Sequence, residues 1–138
     1  MPELRGRLLI VDDDEQVREA LSELLQEAGY ACATAGNGLE AVQRMRQAGT
    51  PDVILLDVNM PGMDGVEFLR LAREQVGPGF GVIAMSGAVG GAAGTRLRQR
   101  VQYYGALTLV EKPIDFARLL KLVGIEMDHR KTRAGLRG

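Results

Sequence analysis

Five short apolar runs alternate along the chain with five stretches in which apolar residues return at helical spacing. Leu8–Val11, the first run, is an unbroken series of large aliphatic residues, the pattern of a strand buried on both faces of a parallel sheet. After it, Val17, Leu21, Leu24 and Ala28 recur at helical spacing, and Gly29 is placed to stop the helix. Tyr30–Ala33 reads as a second, weaker strand. Leu39, Val42 and Met45 mark a second helix that ends near Gly49, with Pro51 just beyond. Val53–Leu56 is the third strand. Asn59–Gly65 then reads as a Pro/Gly turn, where Asp64 and Glu67 have the spacing of a capping box. Val66, Leu69 and Ala72 give a third helix its apolar face, Gly77–Gly79 is loop, and Val82–Met85 is the fourth strand. The segment Gly87–Gly94, rich in Gly and Ala, predicts a loose or displaced start to the fourth helix, which Leu97, Val101 and Tyr104 carry onward. Ala106–Val110 supplies a fifth strand, and Phe116, Leu119, Leu120 and Val123 form the last helix.

Strand-then-helix units without an internal repeat predict a doubly wound α/β domain. Right-handed crossovers then set helices on both faces of a parallel sheet. The domain is expected to span residues 1–127. From Asp128 the chain turns basic, with Arg130, Lys131, Arg133 and Arg137, so residues 128–138 read as a basic polar tail or a truncated linker.

Composition narrows the function classes. The 138 residues suffice for one domain with an ordinary core. A net charge of −1 provides no field that would demand nucleic acid or anionic lipid, so neither direct nucleic-acid binding nor a membrane partner is expected. The apolar runs are far too short to cross a bilayer, and Glu3 and Arg5 interrupt any signal-peptide pattern near Met1. Cys32 stands alone, which excludes a disulfide framework and makes a reducing cytoplasm the default location. With no activating histidine in view, Cys32 reads as a small strand residue rather than a nucleophile, and the single histidine, His129, falls in the polar tail.

In an open α/β sheet, ligands collect at the carboxyl edge of the strands. Strand 1 ends in Asp12–Asp13–Asp14, strand 3 in Asp57, strand 4 in Ser86, and strand 5 in Glu111–Lys112–Pro113. Carboxylates gathered at one edge repel one another, and a hard divalent cation relieves the conflict. Mg²⁺ takes oxygen ligands and suits one or two carboxylates plus a phosphate. Asp12, Asp13 and Asp57 are its natural ligands here, and the backbone carbonyl of Asn59 would add another oxygen. Phosphoryl transfer needs such a metal together with further positive and hydrogen-bonding groups. Lys112 offers the fixed charge and Ser86 the hydroxyl. Asp57, ending the central strand, is the carboxylate placed to be a nucleophile through an aspartyl-phosphate.

Each residue has an ordinary reading when taken alone. Asp14 would be a helix N-cap with Glu15 complementing the dipole, and Asp12 and Asp13 a helix-start acid cluster. Ser86 would be a strand-end hydroxyl, Lys112 a solvated lysine, and Asp57 a residue closing the following turn. Their conjunction at the correct strand ends is what argues for a site.

Leu8–Glu15 (LLIVDDDE), Asp57–Gly65 (DVNMPGMDG), Ser86 and the pair Lys112–Pro113 together resemble the receiver domains of bacterial two-component response regulators, from about Leu8 to about Met127. The resemblance implies a flavodoxin-like five-stranded sheet in order 2-1-3-4-5 with five helices, Mg²⁺ dependence, and a cis Lys112–Pro113 peptide. It implies transfer from the phosphohistidine of a sensor histidine kinase or histidine phosphotransfer protein. By position, Asp57 matches the phosphoacceptor, Asp12 and Asp13 the metal-binding acids, Ser86 the switch hydroxyl, and Lys112 the phosphate-pairing lysine. Such a protein catalyses only its own phosphorylation and autodephosphorylation, and it acts on a downstream protein target; homodimerisation is compatible with this reading.

Two departures touch the output face. The family usually places an aromatic residue three positions before the lysine, where this chain has Leu109. Glycines also crowd the start of the fourth helix, so the response to phosphorylation is expected to concentrate in the Ser86–Gly94 loop. Two rival readings fit the residues less well. A haloacid-dehalogenase-type phosphatase usually carries a second Asp two residues after its nucleophile, where this chain has Asn59, which does no proton transfer at neutral pH. A receiver-shaped binding module that never meets phosphate would have no need of the complete acidic set.

Overall fold

In the computed structural model, which describes residues 4–60, 62–87 and 90–137, each apolar run forms a strand and each periodic stretch a helix. The order is β1 (Arg7–Val11), α1 (Glu15–Glu27), β2 (Ala31–Ala35), α2 (Gly38–Ala48), β3 (Val53–Asp57), α3 (Gly65–Gln75), β4 (Gly81–Ser86), α4 (Gly91–Tyr103), β5 (Ala106–Glu111) and α5 (Phe116–Arg137). All neighbouring strands pair in parallel in the order β2-β1-β3-β4-β5, the flavodoxin-like arrangement that was expected.

Strand residues alternate between two cores because successive side chains point to opposite faces. Leu8, Ile10, Val53 and Leu55 pack under α1 and α5 with Leu21, Leu25, Leu119 and Val123. Leu9, Val11, Ile54 and Leu56 pack on the other face with Val42, Met45, Phe68 and Leu69 from α2 and α3. Both faces are covered, so the central strands need no polar positions and read as continuous apolar runs. Truncating any of these leucines to alanine would cost about 2–5 kcal/mol.

Helix starts are fixed by caps. Asp14 accepts from the N–H groups of Gln16 and Val17 at the head of α1. Asn37 accepts from Glu40 N–H at α2, and Asp64 from Glu67 N–H at α3. The Glu40 carboxylate in turn accepts from Gly36 N–H at 3.1 Å. α4 has Gly90 at its N-cap position and no side-chain cap bond, and it begins inside the glycine-rich segment. Of that segment, residues 88 and 89 lie outside the described residues, as does residue 61 of the turn after β3.

Packing corrects several apolar assignments. On α1 the buried pair is Leu21 and Leu25, one turn apart, and Leu24 is half-buried. Leu39 is 61% exposed, and α2 instead buries Ala41, Val42 and Met45. Phe116 also stands exposed at the start of α5. That helix does not end where the sequence turns basic. Met127 continues the stripe of Leu119 and Val123, and Glu126, buried against Gly81, pairs with Arg130 at 3.5 Å. The strand β2 begins one residue later and ends two residues later than its apolar pattern suggested.

Between β4 and β5 the register shifts: Val82 pairs with Ala106, but Ile83 pairs with Thr108. An extra residue in one strand reverses the phase of everything after it. Ala106 and Leu109 therefore face the same core. Leu109, at the position where an aromatic ring was expected, is half-buried and packs against the same core as Leu97 and Tyr104. Tyr103, next to it in sequence, is 82% exposed and meets the Tyr104 ring edge-on, with centroids 5.0 Å apart.

Candidate functional site

Parallel strands that end together deliver their following residues to one edge. Val11 ends β1, so Asp12 and Asp13 follow at the edge; β3 ends in Asp57, β4 in Ser86, and Lys112 follows β5. Asp12 and Ser86 are fully buried, Asp57 is nearly so, and Asp13 faces solvent. One carboxylate oxygen from each of Asp12, Asp13 and Asp57 lies within 4.8 Å of the others. Asp14 takes no part in this cluster as a carboxylate, being occupied with the α1 cap, although its N–H donates to Asp12 Oδ1 at 2.9 Å. The Arg18 guanidinium donates to the Asp12 carbonyl at 2.7 Å and fixes the end of β1.

Lys112 crosses the cluster. Its Nζ donates to Asp12 Oδ2 at 3.0 Å and lies 3.3 Å from Asp57 Oδ2, while its N–H donates to the Ser86 carbonyl at 2.8 Å. The following Lys112–Pro113 peptide is cis. Ser86 Oγ accepts from the Asn59 side-chain amide at 2.7 Å, and Asn59 N–H donates to Asp57 Oδ1 at 2.9 Å. Asp12, Asp13, Asp57, Asn59, Ser86 and Lys112 thus meet at one edge. The Asn59 side chain was missed, because only its backbone carbonyl had been assigned a place.

Charge and burial act against one another here. Burial, above all, raises the Asp57 carboxyl above its ordinary value. The charge of Asp12 and the hydrogen bond with Asp13 push the same way, against the Asn59 N–H and the Lys112 charge. For Lys112 burial alone would lower the amine, but the hydrogen bond and charge of Asp12, followed by those of Asp57, outweigh it and raise the value. Three carboxylates against one ammonium leave excess negative charge when all are ionised, so this all-oxygen donor set fits a hard divalent cation. Cys32 lies away from this edge, packed against the α1/α5 core, and burial pushes its thiol up to about 11, far from a reactive thiolate.

Sequence comparison places the chain in context. The response regulator receiver domain family matches residues 8–124. The chain is 41% identical to a protein-glutamate methylesterase/protein-glutamine glutaminase of Anaeromyxobacter dehalogenans over 78% of its length, covering 29% of that protein. It is 35% identical to the DNA-binding transcriptional regulator NtrC of Escherichia coli over 91% of its length, covering 25% of NtrC. It therefore spans less than a third of either curated relative. Among solved structures it resembles the chemotaxis protein CheY4 of Vibrio cholerae, with 32% identity and a TM-score of 0.76 over 88% of this chain and 97% of that one. A CheY-like receiver domain protein from Methanospirillum hungatei shares the fold, with a TM-score of 0.82 over 92% of this chain and 97% of that one.

Proposed function

Since the chain belongs to the response regulator receiver domain family of two-component systems, we propose that it is a phosphorylation switch with Asp57 as its acceptor. A carboxylate oxygen of Asp57 attacks phosphorus, the bond to the donor imidazole breaks, and that electron pair leaves with the ring. The donor is the phosphohistidine of a sensor histidine kinase or a histidine phosphotransfer protein.

The observation that carries the reading is the position of Lys112, 3.3 Å from Asp57 Oδ2, within a cluster of three carboxylates on the carboxyl edge of the sheet. Lys112 holds the acceptor carboxylate and offers fixed positive charge to the phosphoryl oxygens. Mg²⁺ is the cofactor that this donor set suits, held by Asp12, Asp13, Asp57 and the Asn59 carbonyl, and when bound it neutralises charge on the transferring group. Ser86 supplies a hydroxyl to the phosphorylated state. The protein in this reading turns over no substrate beyond its own phosphorylation and autodephosphorylation, and it signals to a downstream protein in the cytoplasm. Among the described residues no helix is long and apolar enough to cross a membrane.

Incubation with acetyl phosphate and Mg²⁺, followed by intact-mass measurement, tests the assignment. The wild type should gain one phosphoryl group and Asp57→Asn none. Uptake by Asp57→Asn would sink the assignment.

A further inference from the structure

Asn59 stands at the exposed rim of the site, yet it directs two donors inward. Its N–H holds Asp57 Oδ1 at 2.9 Å, and its side-chain Nδ2 holds Ser86 Oγ at 2.7 Å. One residue thus ties the carboxylate that ends β3 to a hydroxyl that ends β4. We infer that Asn59 is a positioning residue whose side-chain amide latches the Ser86 hydroxyl in its unphosphorylated arrangement. This inference rests on the reading of Asp57 as phosphoacceptor.

Three observations support a latch over a merely structural bond. Ser86 is fully buried, so the direction of its hydroxyl is set by protein groups rather than by water. Ser86 makes a further interaction as well, but the next residue, Gly87, is exposed, and a Cβ there would meet nothing within 4 Å. Asn59, being exposed, contributes little burial, and its amide can swing into solvent when the hydroxyl turns toward a phosphoryl oxygen. A bond present in one state and absent in the other shifts the balance between them by its own net worth.

A double-mutant cycle with Asn59→Ala and Ser86→Ala decides the matter through two readouts. Beryllofluoride with Mg²⁺, the phosphoryl mimic, should bind Asn59→Ala more tightly by on the order of fivefold, the factor corresponding to a net hydrogen bond of about 1 kcal/mol. Without any mimic, the Gly87 amide should exchange faster in Asn59→Ala than in the wild type. With Ser86→Ala already in place, removing the Asn59 side chain should change neither readout. Weaker or unchanged beryllofluoride binding by Asn59→Ala would overturn the latch, and so would the same changes appearing in the Ser86→Ala background. A wild type that fails to bind beryllofluoride at all would overturn the phosphoacceptor reading instead. The exchange arm needs no mimic and would still decide whether Asn59 restrains Ser86.

Discussion

Lys112 bridges two carboxylates from different strands, 3.0 Å from Asp12 Oδ2 and 3.3 Å from Asp57 Oδ2. Asp12 is fully buried and Asp57 nearly so, which makes this amine the cation that compensates them among the described residues. Removing it should therefore cost both stability and chemistry. Lys112→Met is expected to destabilise the metal-free protein by about 1–3 kcal/mol, the cost of leaving buried acceptors without their charged donor. Denaturant unfolding measures the loss, and phosphoryl uptake from acetyl phosphate should slow in the same variant.

The raised Asp57 carboxyl has a definite consequence for stability against pH. Folding disfavours the ionised form, so the contribution of this group is fully present below the ordinary aspartate value of about 3.9 and is lost as pH rises through the folded one. Asp57→Asn should melt higher than the wild type at neutral pH with divalent cations chelated, because Asp12 still holds Lys112 at 3.0 Å. The advantage should shrink as pH falls through the raised folded value and be gone below about 4. Melting curves at pH 7 and pH 3.5 in chelator check the sign.

Divalent cations should act in the opposite direction. Mg²⁺ binding to the folded state adds about 2.7 kcal/mol when the free ion is a hundred times its dissociation constant. Asp13 faces solvent and contributes a carboxylate to the cluster without building the core. Asp13→Ala should therefore keep its metal-free stability within about 0.5 kcal/mol of wild type, as surface substitutions generally do. The upward shift with Mg²⁺ should be largely lost. An equal shift in both proteins would show that Asp13 is not a ligand.

Two glycines should respond oppositely to alanine. Gly124 lies within α5, and a Cβ there would find its nearest neighbours, Arg5 Nη2 and the Tyr30 hydroxyl, at 3.9 Å. Gly124→Ala is expected to stabilise the protein by roughly 0.5–1 kcal/mol through the lost backbone freedom of the unfolded chain. A Cβ on Gly65 would lie 2.5 Å from the Val58 Cα, so Gly65→Ala should destabilise by about 1–3 kcal/mol. Denaturant midpoints of the two variants test both signs.

Much of the site was legible before any coordinates. Apolar runs reveal where strands end, and parallel strands bring those ends to one edge, so Asp12, Asp13, Asp57, Ser86 and Lys112 could be gathered from order alone. Asp14 could be set aside as a cap for a comparable reason, because its partners lie two and three residues ahead in the chain.

The sequence by itself determined the succession of strands and helices, the edge on which the polar residues collect, and the excess of acid over base there. Tertiary structure decided the rest. Helical spacing does not distinguish Leu24 from Leu25, nor reveal that Leu39 faces solvent, because adjacent elements choose the buried stripe. Strand alternation does not foresee that Ala106 and Leu109 share a core; one register shift against β4 turns the face of β5. The Asn59–Ser86 bond joins residues 27 positions apart, and Asn59 lies in the loop after β3, where side-chain directions follow no period. Periodicity is a property of regular backbone, so it places elements and their ends, whereas contacts made from a loop exist only once the whole sheet has been assembled.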